Sequence, residues 1–488
     1  MSPFTIWQDR LVYHDLKQLC VTEGAIDSAI YDYGKFSLRH RSFFSKVLEG
    51  KDVDMIVIGG SNSAGGGIPN HRQLYYQLFL QWWNHVILPC TGSKLTVENL
   101  SLGGTGSDFF NLCLQNYLLD GNKTDLVLIE LSVNDYGSLY GRSAEPMELL
   151  TRRVLELPSK PLVMYITLVD LIEKVKWRKS IPNPRCLNLE DLGQHDIARY
   201  YNITVLSWRD IVCPVHAKGS KRKIEIRPGM VNEDHFHIGP KSHVHIALML
   251  IRSTEKALQK LLEHPLKTKN SIVESISDIA PLFVNITSQS KPFCWSLISK
   301  NWRKPGLTQS LNVRVLRHKG FREITPQNPY AKKTHAGDRS DSFGGWQSNK
   351  GGNFIEFSFT IPEMKEDINK WSVGLVLRHL QNGNINVCLD DNKTDNTTIT
   401  GENYGRVGLQ TRLYFLGGIL GPGSKHKMLV KTKAGKGEYK VTVSGIVLCP
   451  AGMKNIKEYK PSDTIQKVWS PEDYDKLRIN STKNRLKP

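Results

Sequence analysis

The chain lacks a long apolar run and a recognisable leader sequence. None of its hydrophobic stretches approaches the roughly 20 residues that a membrane-spanning helix needs, so no transmembrane segment is expected. The first ten residues, MSPFTIWQDR, also lack the basic and then apolar pattern of a secretory signal. These two absences make a cytoplasmic location the default expectation.

Cysteine is sparse, and its eight residues include no C-x-x-C pair. This spacing excludes zinc-ribbon and thioredoxin-type sites, while an even number permits disulfides without indicating the pairing. Asn-x-Ser/Thr sequons are more frequent than expected, which weakly favours a secreted or lumenal history. The location therefore stays open. The sequons begin at Asn99, Asn122, Asn202, Asn285, Asn392, Asn396 and Asn480.

Acidic side chains are fewer than basic ones, 47 against 65, and the net charge is +18. No basic helical stripe or nucleic-acid motif accompanies this charge, so scattered solvated lysines are the simplest interpretation and no nucleic-acid partner is expected. One denser cluster precedes residue 228 and would favour an anionic substrate if it lay beside a site. Its members are Lys218, Lys221, Arg222, Lys223 and Arg227.

The length of 488 residues predicts two domains with flanking segments. Over residues 51–270, compact apolar runs alternate with helical patterns, which predicts a doubly wound α/β sheet. Residues 290–452 contain short β-rich runs between glycine and asparagine turns, which predict an antiparallel β-sandwich or jelly roll. Residues 1–50 are interpreted as an N-terminal helical extension and residues 453–488 as a charged tail.

Polar segments at the ends of apolar runs carry the candidate chemistry. Gly59–Gly65, Asn99–Gly104 and Ser132–Asp135 each follow a predicted strand, and Asp234–His237 comes later in the chain. In open α/β sheets, sites assemble outside the carboxyl ends of the strands. The segments are therefore expected to meet, and they offer a serine, a glycine amide, an asparagine amide and an Asp-x-x-His pair.

Each segment also has a simpler interpretation when it is considered alone. Gly59–Gly65 could be a flexible or phosphate-binding turn, Gly104 a tight turn with positive φ, and Asn134 a helix N-cap. Ser63 is an alternative nucleophile, and Gly103 is an alternative amide donor. A metal site at Asp234, His235 and His237, with His243 or His245, matches no zinc spacing, and these two later histidines fit better on a closing helix.

In their order along the chain, the segments resemble the blocks of the SGNH (GDSL-like) hydrolase family. The resemblance covers about residues 52–262 and implies a flavodoxin-like parallel sheet and an esterase that works through an acyl-enzyme, without a cofactor. It assigns Ser61, Asp234 and His237 as the catalytic triad, and Ser61, Gly104 and Asn134 as the oxyanion hole. Two positions depart from the family pattern: Gly60 replaces an aspartate, and Ser132 replaces a glycine.

The β-rich region favours a carbohydrate substrate. Trp346, Trp371 and Tyr414 could stack on sugars, although core positions are the more ordinary interpretation, and an O-acetylesterase or related acylhydrolase is expected. The aromatic segment Tyr75–Trp83 keeps a lipid esterase as the alternative. An inactive hydrolase scaffold that serves as a binding module is the alternative of another class. The expected partner is a small-molecule or glycan ester, with an anionic ester as one form of it, and the oligomeric state is not predicted.

Overall fold

The computed structural model describes most of both predicted domains. It describes residues 19, 21–33, 37–68, 70–118, 121, 123–139, 145–169, 194–212, 227–233, 237–264, 279–282, 291–298, 309–324, 344–363, 370–390, 397–401, 411–416, 420–435 and 439–450. Of the basic cluster before residue 228, only Arg227 is among these, and it is exposed.

An α/β domain comes first, built on a sheet whose main strands are parallel. In spatial order, β3, β2, β4, β5 and β6 have the 2-1-3-4-5 arrangement of flavodoxin-like sheets. A short strand, β1, adds to β6 in the antiparallel direction, so the sheet is mixed. The strands are β1 (Ile30–Asp32), β2 (Val53–Gly59), β3 (Leu95–Asn99), β4 (Thr124–Glu130), β5 (Leu162–Thr167) and β6 (Thr204–Ser207).

Helices cover both faces of this sheet. Successive side chains of β2 enter different cores: Met55 and Val57 join one, and Ile56 and Ile58 join the other. None of the helices in the described part of the chain is both long and apolar enough to cross a membrane. The helices are α1 (Glu23–Ser28), α2 (Leu38–Leu48), α3 (Ser61–Ala64), α4 (Tyr75–Thr91), α5 (Ser107–Cys113), α6 (Ser132–Leu139), α7 (Glu145–Leu155), α8 (Gln194–Tyr200), α9 (Trp208–Val212) and α10 (Pro240–Glu263).

A second domain consists of two antiparallel sheets. One has the order β15-β12-β17-β10-β9, with β7 also paired to β17, and the other has the order β14-β13-β16-β11-β8. The strands are β7 (Phe293–Ser296), β8 (Val313–Lys319), β9 (Arg322–Ile324), β10 (Gly345–Ser348), β11 (Phe354–Thr360), β12 (Trp371–Gln381), β13 (Gly383–Leu389), β14 (Thr397–Thr400), β15 (Arg412–Phe415), β16 (Lys425–Ala434) and β17 (Lys440–Pro450). The α/β class and the antiparallel β-rich class are thus as predicted.

Strand β17, in the first sheet of the β-sandwich, is buried on both faces. Along β17, Ile446 and Leu448 pack into the sandwich core, whereas Val447 and Cys449 pack into a core that they share with the α/β domain. A disulfide between Cys113 of α5 and Cys294 of β7 crosses the same interface. The two domains are therefore joined by an apolar contact and by a covalent bond.

The strand predictions depended on the length and polarity of each strand. Apolar runs identified β2 to β6, β11 to β13 and β15 to β17. Strands β1, β7, β8, β9, β10 and β14 were not anticipated, because they are short or, as in β8, mostly polar and exposed.

We expect removal of the interdomain disulfide to destabilise the protein. The crosslink closes a span of 181 residues, for which the loop-entropy relation gives a ceiling of about 5 kcal/mol. The double variant Cys113→Ala/Cys294→Ala should lose roughly 2–5 kcal/mol of unfolding free energy in denaturant titrations under oxidising conditions. The exposed free thiol Cys90 provides the control, Cys90→Ala. Equal stability of wild type and double variant would contradict the expectation.

Candidate active site

Ser61 lies in a sharp turn at the carboxyl end of β2. The amide of Gly60 donates to the carbonyl of Glu130, the last residue of the neighbouring β4, at 3.1 Å. Ser61 then begins the single turn of α3, which ends at Gly65 in the left-handed conformation with φ +98°. The Ser61 side chain is half-buried, whereas those of Asn62 and Ser63 are buried. The turn thus leaves Ser61 as the accessible hydroxyl.

His237 lies against this turn. A Cβ atom placed on Gly66 would be 2.6 Å from Nε2 of His237 and 2.9 Å from the carbonyl oxygen of Ser61. The imidazole therefore occupies the space that a side chain at residue 66 would need. The amide of Ile238 donates to Oδ1 of Asn62 at 2.9 Å, which links the residues next to Ser61 and His237. The structure thus brings together the predicted nucleophile and base.

Hydrogen bonds with residues 230 and 232 hold the backbone around His237 in place. The amide of Asn232 donates to the carbonyl of His237 at 3.0 Å, and the Asn232 side chain donates to the carbonyl of Ile238 at 2.9 Å. The amide of Gly239 donates to the carbonyl of Met230 at 2.7 Å. Asp234 and His235 lie outside the described residues, so the role of Asp234 as the orienting acid stays a prediction.

Asn134 reaches the Ser61 turn from α6. A Cβ atom on Gly60 would be 1.8 Å from Oδ1 of Asn134 and 3.3 Å from its Nδ2. No side chain fits at residue 60 while Asn134 holds this position. This contact gives a physical reason for glycine at residue 60. Asn134 is half-buried, and its amide lies beside the turn that carries Ser61.

The Gly103–Gly104 loop continues from β3 along the same edge. The amide of Leu102 donates to the carbonyl of Gly59 at 2.9 Å, so the loop begins beside the end of β2. Gly104 has φ +63°, a conformation that favours glycine. The carbonyl of Gly103 accepts from Arg378 of β12 at 2.6 Å. The sequence left two interpretations of Gly104, a tight turn and an amide donor. The observed turn does not conflict with the role of amide donor.

Ser132 and Asp135 fix the neighbouring segment. The Ser132 hydroxyl accepts from the amide of Leu168 at 2.8 Å, which joins the start of α6 to the chain after β5. Asp135 accepts from the amide of Ser107 at 2.7 Å, and burial raises the pKa of Asp135 to about 7. The hydroxyl of Ser132 thus has a structural role, as the hydrogen-bond acceptor for the amide of Leu168.

Ser63 is not the nucleophile, because it is fully buried and engaged in hydrogen bonds. Its hydroxyl donates to Oε2 of Glu130 at 2.8 Å and contacts the Tyr75 hydroxyl at 2.8 Å. Burial raises the pKa of Glu130 to about 8. The sequence analysis does not single out Glu130. Its signal is a glutamate within an apolar strand, where a charged residue is unusual.

Asn99 also has a structural role that the sequence left unassigned. Its Nδ2 donates to the carbonyl of Ser63 at 3.0 Å and to the Tyr76 hydroxyl at 2.8 Å, and its Oδ1 accepts from the amide of Ser101 at 3.0 Å. An amide nitrogen in these contacts is not free to carry a glycan. Asn99 instead ties β3 to the Ser61 turn.

The later histidines pack inside the protein. His243 stacks on Tyr75 with 6.0 Å between ring centroids, and burial lowers the pKa of His243 to about 3. His245 contacts the carbonyl of Leu19 at 2.7 Å, and burial lowers its pKa to about 4. Both positions fit the packing role expected on the closing helix. In the described part of the chain, no cluster of three or more His, Cys, Asp or Glu side chains could hold a metal ion.

Of the three proposed aromatic platforms, only Trp371 is a core residue. Trp371 is fully buried, Trp346 is half-buried and contacts His318 with 4.8 Å between ring centroids, and Tyr414 is half-buried. Most of the aromatic rings of Tyr75–Trp83 are also buried, as expected for core residues. Trp371 is therefore not a surface for sugar stacking.

A second serine–histidine–aspartate set lies in the β-sandwich. Nδ1 of His426 contacts Asp390 at 2.6 Å, and its Nε2 contacts the Ser424 hydroxyl at 2.5 Å. The Ser424 hydroxyl also donates to the carbonyl of Gly421 at 2.5 Å, which directs its proton away from the imidazole. We therefore assign this set to the turn before β16 and not to catalysis.

The two-domain fold is similar to that of solved esterases. The two-domain esterase CEX, active on acetylated mannans, aligns with a TM-score of 0.54 and 18% identity over 84% of this chain and 94% of its own. Its complex with mannopentaose aligns over the same shares with a TM-score of 0.53. The family 3 carbohydrate esterase of Clostridium thermocellum covers 43% of this chain, at 15% identity and a TM-score of 0.30. No family model and no curated protein matches the chain. At this identity, the likeness to CEX shows a shared fold.

The buried Glu130 should make stability depend on pH. Its folded pKa of about 8 exceeds the ordinary glutamate value of 4.5, so the folded protein retains a proton that the unfolded chain releases, and stability falls as the pH rises through this window. Glu130→Gln keeps an acceptor for Ser63 and removes this titration. In urea titrations, the free energy of unfolding of the variant should rise relative to wild type between pH 5 and pH 8, by at most about 5 kcal/mol.

The control for this measurement is Glu156→Gln, which changes an exposed carboxylate just after α7. A stability difference between wild type and Glu130→Gln that is constant over this pH range would contradict a buried acid that loses its proton.

Proposed function

We propose that the protein is a serine ester hydrolase in which Ser61 is the nucleophile and His237 the base. The observation that carries the proposal is the position of the His237 imidazole against the Ser61 turn, secured by the Ile238–Asn62 hydrogen bond. The turn lies at the carboxyl end of β2, next to β4, where flavodoxin-like sheets place their sites. The likeness to the two-domain esterase CEX supports the same class of reaction.

The proposed reaction has two acyl-transfer steps. In the first, Oγ of Ser61 attacks the ester carbonyl carbon while Nε2 of His237 takes its proton. The imidazolium then gives that proton to the leaving alcohol as the C–O bond breaks, which leaves an acyl-enzyme. In the second, His237 takes a proton from water, the water oxygen attacks the acyl carbon, and Ser61 regains its proton as the acid leaves. Asp234 is the proposed partner of Nδ1 of His237.

Negative charge on the carbonyl oxygen requires fixed donors. We assign this role to the amides of Ser61 and Gly104 and to Nδ2 of Asn134. Loss of one such donor costs about 3 kcal/mol of barrier in serine hydrolases. The contact between Asn134 and Gly60, and the run of the Gly104 loop beside β2, support a convergence of these donors at the turn.

For the substrate, we propose an acetylated carbohydrate. The support is the pairing of an α/β domain with a β-sandwich, an arrangement shared with an esterase that is active on acetylated mannans. The lipid alternative loses its main argument, because the aromatic side chains in α4 that suggested it are largely buried.

Replacing Ser61 or His237 should abolish ester turnover. Ser61→Ala and His237→Ala remove the nucleophile and the base, so each should lower kcat for p-nitrophenyl acetate by about 10³-fold or more. Neither side chain is in the apolar core, so the midpoints of thermal unfolding should stay near that of wild type. Initial rates and thermal unfolding curves of the same preparations check both statements.

Ser424→Ala is the matched control, since it removes the other serine hydroxyl that contacts a histidine. A fluorophosphonate should label wild type at Ser61, as mapped by mass spectrometry, and should not label Ser61→Ala. Full turnover by both active-site variants, or labelling at Ser424, would contradict the assignment. A wild type that neither labels nor turns over ester would instead favour an inactive scaffold.

A substrate panel should separate the glycan and lipid alternatives. We expect acetate release from acetylated manno-oligosaccharides with a kcat/KM at least about tenfold higher than for long-chain p-nitrophenyl esters, as a pocket built for a short acyl group requires. Chromatography of the released acids measures both reactions, and Ser61→Ala provides the background. Faster cleavage of the long-chain esters would favour the lipid alternative.

A further inference from the structure

Two buried side chains of the β-sandwich contact the Gly103–Gly104 loop. Nη1 of Arg378 donates to the carbonyl of Gly103 at 2.6 Å and to the Thr411 hydroxyl at 2.9 Å. The amide of Thr411 donates to the carbonyl of Gly104 at 2.7 Å. The hydroxyls of Thr411 and Thr105 are 2.8 Å apart. Exposure is only 4% for Arg378 and 1% for Thr411, so solvent does not compete for these hydrogen bonds.

These contacts fix the direction of the peptide between Gly103 and Gly104. The described chain has no cis peptide bond, and in a trans peptide the C=O and N–H groups point in opposite directions. Because Arg378 holds the carbonyl of Gly103, the amide of Gly104 must point away from the β-sandwich. This amide is the donor that the proposed mechanism needs.

The sequence of the loop does not by itself fix this orientation. Glycine is the residue with the greatest backbone freedom, and two in succession offer many competing conformations. The positive φ of Gly104 allows the carbonyls of Gly103 and Gly104 both to reach partners in the β-sandwich. A buried hydrogen bond from a charged donor is stronger than one between neutral groups, and the bond from Arg378 therefore selects one conformation of the loop.

We propose that Arg378 and Thr411 are positioning residues for the oxyanion hole, so that the β-sandwich completes the active site of the α/β domain. The inference rests on the proposed esterase function and extends it to the second domain. Arg378 acts through the Gly103 carbonyl, and Thr411 acts through the Gly104 carbonyl and by holding Arg378. Neither residue needs to contact the substrate.

Variants at Arg378 should show whether this residue positions the oxyanion hole or only helps to hold the two domains together. The Cys113–Cys294 disulfide and the shared apolar core keep the domains joined when this hydrogen bond is lost. Arg378→Met should lower kcat for p-nitrophenyl acetate by about 10- to 100-fold with little change in KM, because misplacement by about 1 Å costs this much in rate. Arg378→Lys retains one charged donor and should recover part of kcat.

Thr411→Val is a milder second variant, since it removes the hydroxyl and keeps the amide that bonds to Gly104. It should lower kcat by a smaller factor than Arg378→Met. The matched control is Arg317→Met, which removes another arginine of the β-sandwich whose Nε donates to Glu356 at 2.6 Å. This control should leave both kcat and KM near the wild-type values.

The affinity for a transition-state analogue would not change if Arg378 only held the two domains together. A trifluoromethyl ketone forms a tetrahedral oxyanion on the serine, so its Ki should rise across the variants in proportion to the fall in kcat/KM. If wild type is active and Arg378→Met matches it in kcat and Ki, the proposed positioning role is wrong. The proposed esterase function is not contradicted by that result. A wild type that neither hydrolyses ester nor reacts with fluorophosphonate overturns the esterase, and this inference with it.

Discussion

The hydrogen bond from the Ile238 amide to the Asn62 side chain joins segments that are 176 positions apart in the chain. Because Ser61 and His237 are the immediate neighbours of these two residues, the bond holds the backbone segments of the proposed nucleophile and base together. Asn62 is buried, so water does not compete for its oxygen. The rest of the site is arranged around this contact: Met230, Asn232 and Gly239 support one side of it, and the turn after β2 supports the other.

Glycines around this contact provide room for side chains from other segments. Asn134 occupies the Cβ position of Gly60, and His237 occupies that of Gly66. The glycine-rich turn is therefore explained by the close approach of the Asn134 and His237 side chains, and not by flexibility alone. Any side chain at residue 60 would require a different position for Asn134.

The sequence predicted the sheet and the position of the motifs better than their contacts. Apolar runs identify β2, β3 and β4, and the carboxyl-edge rule places Ser61, Gly104 and Asn134 at one edge. The burial of Ser63 was not predictable, because it depends on Glu130 and on a tyrosine from α4. Tertiary partners of this kind leave no local pattern in a single sequence.

The contact between the domains limits how independent the β-sandwich is. A free carbohydrate-binding appendage would expose the outer faces of its sheets, yet β17 buries both of its faces, one of them with α5. The polar contacts of Arg378 with Gly103 lie in the same interface as the disulfide between Cys113 and Cys294. Structural disulfides are typical of proteins that fold in oxidising compartments. Such a bond holds the two domains in register at the glycine loop, where a small displacement would alter the proposed site most.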